Sequence, residues 1–265
     1  MGFTKYVRLY FHLVKYNITA QMEFRANFII SILTEVAFLC AKALYIIVLF
    51  SAGLGINGLS PEQMLMFIGS YTIITGVMDS VFYPNIAAIP EYIRTASLDI
   101  YLTKPVNSLF MASLRKFDLG LGIPNVAAGL AMVIISWIMT GTPVTLLSVA
   151  GFLFFTVIGC LMTFPILMIP VTLSFWIIKS DAIMEVIWAL WDFNNMPMTI
   201  YSRGIRLVGT FIVPIFLITN FAPLFVFGML PVTAGIFSVV AIPIFFGLAI
   251  GFWNVAVKNY SSGGG

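Results

Sequence analysis

FIISILTEVAFLCAKALYIIVLFS, residues 28–51, is the stretch of sequence that decides the fold of this chain. It carries only two charged side chains, Glu35 and Lys42. A bilayer core about 30 Å thick needs roughly 20 helical residues for one crossing, so this stretch predicts a transmembrane helix. Apolar blocks of similar length recur at 64–86, 119–140, 147–177 and 233–257. The chain is therefore predicted to cross a lipid bilayer several times.

The composition of the whole chain supports this interpretation. Of the 265 residues, 61% are hydrophobic and 9% are charged, and the mean hydropathy is +1.06. Soluble proteins have about half apolar and a quarter charged residues. The length allows about six or seven crossings and no sizeable soluble domain. Because the blocks are too long and too uniformly apolar for membrane strands, the predicted fold class is all-α, a polytopic integral membrane protein with one domain over 1–265.

Residues 1–27 precede the first crossing and mix basic with apolar side chains. If these residues form a helix, the apolar side chains lie on one face and basic side chains lie around that face. The apolar side chains are Tyr6, Leu9, Tyr10, Leu13 and Val14, and the basic ones are Lys5, Arg8, Lys15 and Arg25. The pattern predicts a helix that lies in the headgroup region, with a plain extension of the first crossing as the alternative. It is not the pattern of a cleaved signal peptide.

Lysine and arginine are distributed unevenly between the connections. The N-terminus and residues 87–118 are rich in basic residues, whereas 52–63 and 141–145 contain none. The positive-inside rule therefore places the N-terminus and the 87–118 loop in the cytoplasm. Counting onward, Lys179, Lys258 and the C-terminus are also predicted on the cytoplasmic side, with six crossings in total.

The region 182–228 allows two interpretations. It contains a Trp-rich segment (AIMEVIWALWDF), a polar stretch with Arg203 and Arg206, and an apolar stretch interrupted by Pro214 and Pro223. Either the first part crosses and the second dips back into the outer leaflet, or the first lies on the cytoplasmic surface and only the second crosses. Arg203 and Arg206 favour the second version. Pro214 and Pro223 interrupt helical hydrogen bonds and so favour the first version, in which the apolar stretch is a broken re-entrant hairpin.

The chain offers little for catalysis or cofactor binding. Its single histidine, His12, excludes HExxH and Cys/His metal sites, and there is no GxxxxGK[ST] motif to bind nucleotide phosphates. Cys40 and Cys160 fall inside predicted crossings and are expected to be packing residues. We therefore expect no catalytic residue, no metal, no cofactor bound by this chain and no nucleic acid partner.

Charged residues inside the predicted crossings are costly and mark function or a specific partner. The candidates are Glu35, Lys42, Asp79, Glu185 and Asp192. Glu35 and Lys42 share one helical face, and Asp79 would lie at about the depth of Glu35 in the next helix. Two roles stay open, because these side chains could line a substrate pathway or could pair between helices and fix their packing.

The most specific part of the sequence is IPEYIRTASLDIYLTKPVNSLFMASLRKF, residues 89–117. Pro90 at a helix start and Glu91 in its first turn predict one short amphipathic helix that ends at Lys104, before Pro105. Held parallel to the membrane, such a helix would offer charges and an apolar ridge to a soluble partner. A plain surface helix packed on headgroups is the alternative.

Within this loop, Arg94, the SLD run at 97–99 and the LTKPVN run at 102–107 resemble the permease subunits of type-2 ABC exporters. The likeness is to the branch in which the permease is a stand-alone chain of about this length. The resemblance extends more weakly to the basic N-terminal helix, Val213-Pro214, Ala222-Pro223 and Tyr260-Ser261-Ser262. It therefore covers essentially the whole chain.

The resemblance implies a type V ABC exporter-like permease with six transmembrane helices. An N-terminal interfacial connecting helix would lie within 1–27, and a cytoplasmic coupling helix within 87–118. A re-entrant hairpin would stand before the last helix, within 182–228 together with the fifth helix. The first, second and fifth helices would face the pathway.

The resemblance also implies partners. Two permease chains, identical or homologous, would pair around a central pathway in the bilayer. The membrane expected for this chain is the bacterial inner membrane. Separate ABC ATPase subunits would carry ATP and Mg, and the permease would contact them through Glu91, Arg94, Asp99 and Lys104.

The substrate and the competing functions are less constrained. The 25 Phe and 14 Met residues, with few buried charges, favour an amphipathic or hydrophobic cargo such as a drug, lipid or modified peptide, although the same side chains could face lipid. An ion-coupled secondary transporter or channel would instead use Glu35, Lys42 and Asp79. An intramembrane enzyme is disfavoured because paired catalytic residues are missing from the predicted crossings.

Overall fold

The computed structural model describes residues 2–52, 58–177 and 180–260. The described residues form helices and no β-strand, which confirms the all-α prediction. The predictions for Lys179, for part of the 52–63 connection and for the 261–262 tail fall outside the described residues. In chain order the helices are α1 (Phe3–Glu23), α2 (Arg25–Ala52), α3 (Pro61–Val77), α4 (Tyr83–Ile86), α5 (Ile89–Arg94), α6 (Asp99–Leu102), α7 (Ser108–Ser113), α8 (Leu119–Thr140), α9 (Leu146–Thr172), α10 (Ser180–Asp192), α11 (Arg203–Leu207), α12 (Phe216–Thr219), α13 (Phe221–Val226) and α14 (Val232–Lys258).

Five helices in the described part of the chain are long and apolar enough to cross a membrane. They cover Arg25–Val48, Pro61–Arg94, Leu119–Thr140, Leu146–Phe175 and Val232–Lys258. The second joins α3 to α4 through a π-helical turn, Met78–Phe82. These helices confirm the five apolar blocks predicted as crossings, and most of their ends agree with the predicted ends to within a few residues.

The sixth predicted crossing is not confirmed. It would begin with α10, which has 13 residues and is therefore about 20 Å long, short of a bilayer core. After α10 the chain continues through short helical pieces, and Val213–Pro214 separates a π-helical turn, Val208–Ile212, from α12. Proline has no N–H to donate and so interrupts the helix there. The described geometry keeps both interpretations of 182–228 open.

Helices α3 and α8 are packed closely because glycines face each other. A Cβ atom on Gly129 would lie 2.7 Å from the carbonyl oxygen of Gly69, and one on Gly76 would lie 2.9 Å from that of Gly122. Small residues let two helix backbones approach within a membrane, where apolar surface alone gives little driving force for association. The glycines thus hold α3 and α8 together as one rigid pair.

Capping residues set where the spanning helices begin and end. Asp118 accepts hydrogen bonds from the amides of Gly120 and Leu121 and starts α8, which stops at Gly141, a residue with a φ of 61°. Helix α9 begins with a capping box formed by Thr145 and Ser148. The short connection between α8 and α9 therefore follows directly from local sequence.

The predicted single helix from Pro90 to Lys104 is wrong. The structure has two short helices, α5 and α6, separated by a turn in which Ala96 has a φ of 55°. The turn is closed by a hydrogen bond from the Leu98 amide to the carbonyl of Tyr92, 3.0 Å long. Leu98 is fully buried, so burial of its side chain offsets the cost of the left-handed alanine.

Helix α1 is separate from the first crossing, because it ends at Glu23 and the chain bends at Phe24. It packs along the 87–118 loop. The Asn107 amide donates to the Tyr6 hydroxyl (3.0 Å), and the Asn17 side chain donates to the Arg115 carbonyl (2.9 Å). The basic N-terminal helix and the loop therefore form one layer at the same end of the bundle.

Candidate functional site

A polar cavity of about 610 Å³ lies between the first two spanning helices, α8 and α10. Its volume is within the usual range for small-molecule sites. It is lined by Glu35, Phe38, Lys42, Tyr45, Ile68, Tyr71, Thr75, Met78, Asp79, Tyr83, Leu121, Asn125, Trp188, Trp191, Asp192, Asn195 and Met196. We refer to this space as the polar cavity.

The structure brings together four of the five charged residues that the sequence singled out. Glu35, Lys42, Asp79 and Asp192 all line the polar cavity. Glu185 does not; it is exposed about two turns before Asp192, nearer the start of α10. Charged residues from three helices therefore surround one space. Their functional role stays a prediction.

Glu35 and Lys42 are each bound to a neighbouring helix. The Asn125 side chain donates a 2.6 Å hydrogen bond to Oε2 of Glu35, and both groups are buried. Lys42 Nζ donates to Thr72 Oγ1 at 3.0 Å and lies 5.0 Å from the centre of the Tyr71 ring. These contacts give both residues an interhelical packing role, whatever else they do in the cavity.

The bond between Glu35 and Asn125 leads to a testable prediction. Asn125→Leu leaves a buried carboxylate without its donor, so we expect the free energy of unfolding to fall by about 2 kcal/mol. Replacing both residues, Glu35→Leu with Asn125→Leu, removes the unpaired group, so the double variant should be less destabilised than the sum of the single changes. Denaturant unfolding in detergent micelles measures this.

The control for that cycle is Asn259→Leu, which changes an exposed asparagine at the end of α14. It should leave the unfolding free energy nearly unchanged. Strict additivity of the Glu35 and Asn125 substitutions would contradict a direct interaction between the two side chains.

Asp79 differs from Glu35 and Lys42. Among the described residues, no hydrogen-bond donor and no cation within 4.0 Å pairs with its carboxylate, which is half-buried. Asp192 accepts a hydrogen bond from the Asn195 side chain at 3.1 Å and is exposed. The cavity therefore presents one carboxylate that makes no hydrogen bond and no direct ion pair with a described residue, although the Lys42 ammonium is near enough to attract it.

Aromatic side chains form much of the cavity wall. The Tyr71 and Trp191 ring centres are 6.4 Å apart, and those of Tyr83 and Trp188 are 5.1 Å apart. Sequence reasoning noticed the Trp-rich segment but did not assign it to a site. The available signal was the spacing of Trp188, Trp191 and Asp192, which places them on neighbouring positions of one helix face.

The outer surface of the 87–118 loop carries the charges that the sequence predicted for partner contact. Arg94 forms two hydrogen bonds with the Glu91 carboxylate, 2.8 and 2.9 Å long. Both side chains are exposed, as is Lys104, whereas Asp99 is half-buried. Ile100, 59% exposed, adds an apolar side chain to this surface. We refer to Glu91, Arg94, Ile100 and Lys104 as the outer loop face.

On its inner surface the loop is held together by contacts between aromatic and basic side chains. The rings of Tyr92 and Tyr101 lie 5.2 Å apart, and the Arg115 guanidinium lies 5.1 Å from the Tyr101 ring. Burial raises the pKa of the Tyr101 hydroxyl, which keeps it neutral at physiological pH. These contacts could not be predicted from the sequence, because they join separate segments of the loop: α5, α6 and the residues after α7.

A buried asparagine joins the loop to the helix that lines the cavity. The Asn85 side chain donates to the Lys116 carbonyl (2.8 Å) and accepts from the Lys116 amide (2.6 Å). Close by, the Asp118 amide donates to the Ser80 carbonyl at 2.9 Å. Asp79 precedes Ser80 directly, so the loop and the cavity share one continuous packed segment.

Comparison with known protein families identifies the family of this chain. A family model described as ABC-2 family transporter protein matches residues 36–264, which is most of the chain. The chain belongs to this family. No curated protein and no solved structure matches it. The ABC-2 protein is thus a permease subunit of an ABC transporter, as the loop motif indicated.

Family membership also indicates that the spanning helices lie in a membrane. The ABC-2 permease is an integral membrane protein and a transport component, and permeases of this family work with ATPase subunits. Many apolar side chains of its spanning helices are exposed in the isolated chain; those on the first crossing include Ile30, Leu33, Phe38, Leu44 and Val48. In a membrane, such surfaces contact lipid or another transmembrane helix.

Proposed function

We propose that this ABC-2 permease is the membrane subunit of an exporter of amphipathic or hydrophobic molecules. Residues 1–265 form one permease domain with six crossings, in which 182–228 supplies the fifth helix and a re-entrant hairpin. The N- and C-termini lie in the cytoplasm of a bacterium whose inner membrane holds the protein. Two permease chains, identical or homologous, enclose the pathway, and separate ATPase subunits bind ATP and Mg.

The observation that carries the proposal is the link between the outer loop face and the polar cavity. Glu91 and Arg94 are exposed at the end of the same spanning helix that carries Asp79. The buried Asn85 holds the far side of the loop against that helix. A displacement of the loop by an ATPase can therefore move the cavity wall through packed, hydrogen-bonded segments of the chain.

The mechanism follows from rigid packing. ATP-driven closure of two ATPase subunits pushes or rotates α5 and α6, which contact the ATPase through Glu91, Arg94, Asp99 and Lys104. Because α3 and α8 are joined by close glycine contacts, they move as a unit, and packed elements switch between discrete arrangements. The cavity then opens toward one side of the membrane and closes toward the other.

The test is co-purification. The tagged chain, extracted from its own membranes in mild detergent, should bring with it an ATPase that contains a phosphate-binding loop, in equal number with the permease chains. A tagged membrane protein of another family, extracted in parallel, is the control. Recovery of the intact, folded permease without any ATPase would contradict the proposal.

The alternative is an ion-coupled transporter or channel that uses Glu35, Lys42 and Asp79. The observation in its favour is that all three line one cavity. It predicts transport that uncouplers abolish and that needs no ATPase. Membership of the ABC-2 family favours the ATP-driven function.

A further inference from the structure

The polar cavity is lined by more carboxyl groups than ammonium groups. Three carboxylates, Glu35, Asp79 and Asp192, line it together with one ammonium group, that of Lys42. Lys42 already donates to Thr72 and lies over the Tyr71 ring, so it is held at the wall. Charge in a partly buried space is costly unless it is matched, which makes a cation the complementary occupant.

The wall of the cavity suits an organic cation better than a metal ion. Aromatic faces attract cations, and five aromatic rings with polar edges line this space: Tyr45, Tyr71, Tyr83, Trp188 and Trp191. In the described part of the chain, no three His, Cys, Asp or Glu side chains converge as metal ligands would. Apolar side chains such as Phe38, Ile68 and Met78 complete the lining.

We propose that the polar cavity binds a lipophilic organic cation, a molecule with one positive charge and an aromatic or apolar body. Its charge is matched by Asp79, the carboxylate that makes no hydrogen bond or direct ion pair with a described residue, and its body lies against Tyr71, Trp188 and Trp191. This inference rests on the proposed function, because it names the chemical class of the cargo that the permease carries. It narrows an amphipathic cargo to a cationic one.

The binding test uses two probes of the same shape and opposite charge, tetraphenylphosphonium and tetraphenylborate. The full chain, with the subunits that accompany it, is titrated separately with each probe in detergent, and binding is followed by equilibrium dialysis with empty micelles as background. We expect saturable binding of the phosphonium. Asp79→Asn should weaken it at least about tenfold, the loss expected for one charge-assisted contact, and should not weaken binding of the borate.

Matched variants separate charge from folding. Asp79→Glu keeps the carboxylate and should retain phosphonium binding within a few-fold. Glu185→Gln removes an exposed carboxylate of α10 that does not line the cavity, and it should have no effect. If Asp79→Asn does not fold, Trp188→Ala and Asp192→Asn test the same cavity, and each should weaken phosphonium binding several-fold while the thermal midpoint stays near that of the wild type.

The outcomes distinguish this inference from the proposed function. Equal phosphonium affinity in the wild type and in folded cavity variants overturns the cation site, and an ATPase that still co-purifies would leave the exporter proposal intact with a different cargo. Selective phosphonium binding in a chain that recruits no ATPase would support the site and overturn the exporter. Tighter binding of the borate than of the phosphonium at the cavity would also overturn the site.

Discussion

Replacing Gly159 by alanine is expected to lower the thermal unfolding midpoint by roughly 5–10 °C, the shift that about 2–3 kcal/mol of overpacking produces in a chain of this size. Gly159 lies in α9 where that helix contacts α12, and a Cβ atom there would overlap the carbonyl oxygen of Ile218. Since the obstacle is backbone, no side-chain rotation relieves it. Helix α12 must move away, and it carries the fully buried Phe216.

The control for Gly159→Ala is Gly251→Ala in α14. A Cβ atom on Gly251 would have no atom of another element within 4 Å. Because alanine favours the helix more than glycine does, the control should keep or slightly raise the midpoint. The measurement is the loss of the monodisperse peak in size-exclusion chromatography after heating in detergent. Equal midpoints for the two variants would contradict the close approach of α9 to α12.

Reversing the charge of Arg94 is expected to reduce ATPase association at least about tenfold and to abolish substrate-stimulated ATP hydrolysis in the purified complex. A wrong-sign charge at a protein interface costs several kcal/mol, whereas an exposed ion pair within one chain contributes little to stability. Arg94→Glu should therefore leave the thermal midpoint of the permease almost unchanged. Lys258→Glu, an exposed charge reversal at the end of α14, is the control.

The Glu91–Arg94 ion pair needs a second control. Exchanging the two residues, Glu91→Arg with Arg94→Glu, restores an ion pair inside the loop but presents the charges to a partner in the opposite order. Contact with the ATPase predicts that the exchanged variant stays uncoupled. Two results would contradict contact between the outer loop face and the ATPase. One is recovered ATPase association in the exchanged variant, and the other is unchanged association in Arg94→Glu.

Much of the helical framework could be predicted because hydropathy and capping are local properties. The apolar block 119–140 coincides with α8, and the block 233–257 lies within α14. The 87–118 loop was only partly predictable. The pattern correctly indicated helix around Pro90, but one helix to Lys104 was wrong, because burial of Leu98 selects a turn that no local preference of alanine would favour.

The candidate site was predictable only as a set of residue types. Charges at apolar positions stood out in the sequence, so Glu35, Lys42, Asp79 and Asp192 could be named. Their neighbours could not, since Asn125 is 90 residues from Glu35 along the chain. The separation of Glu185 from the other four charges was equally hidden, because it depends on how far along α10 the cavity extends.

The sequence by itself determined that this protein is helical, lies in a membrane and carries a transporter-type loop, since the free energy of placing a helix in lipid is largely a sum over its own residues. Tertiary structure alone decided that the charges of three helices and a wall of aromatic rings surround one cavity, and that Asn85 fastens the loop to the helix carrying Asp79. Such features arise from contacts between residues far apart in the chain, which no sum over local windows contains.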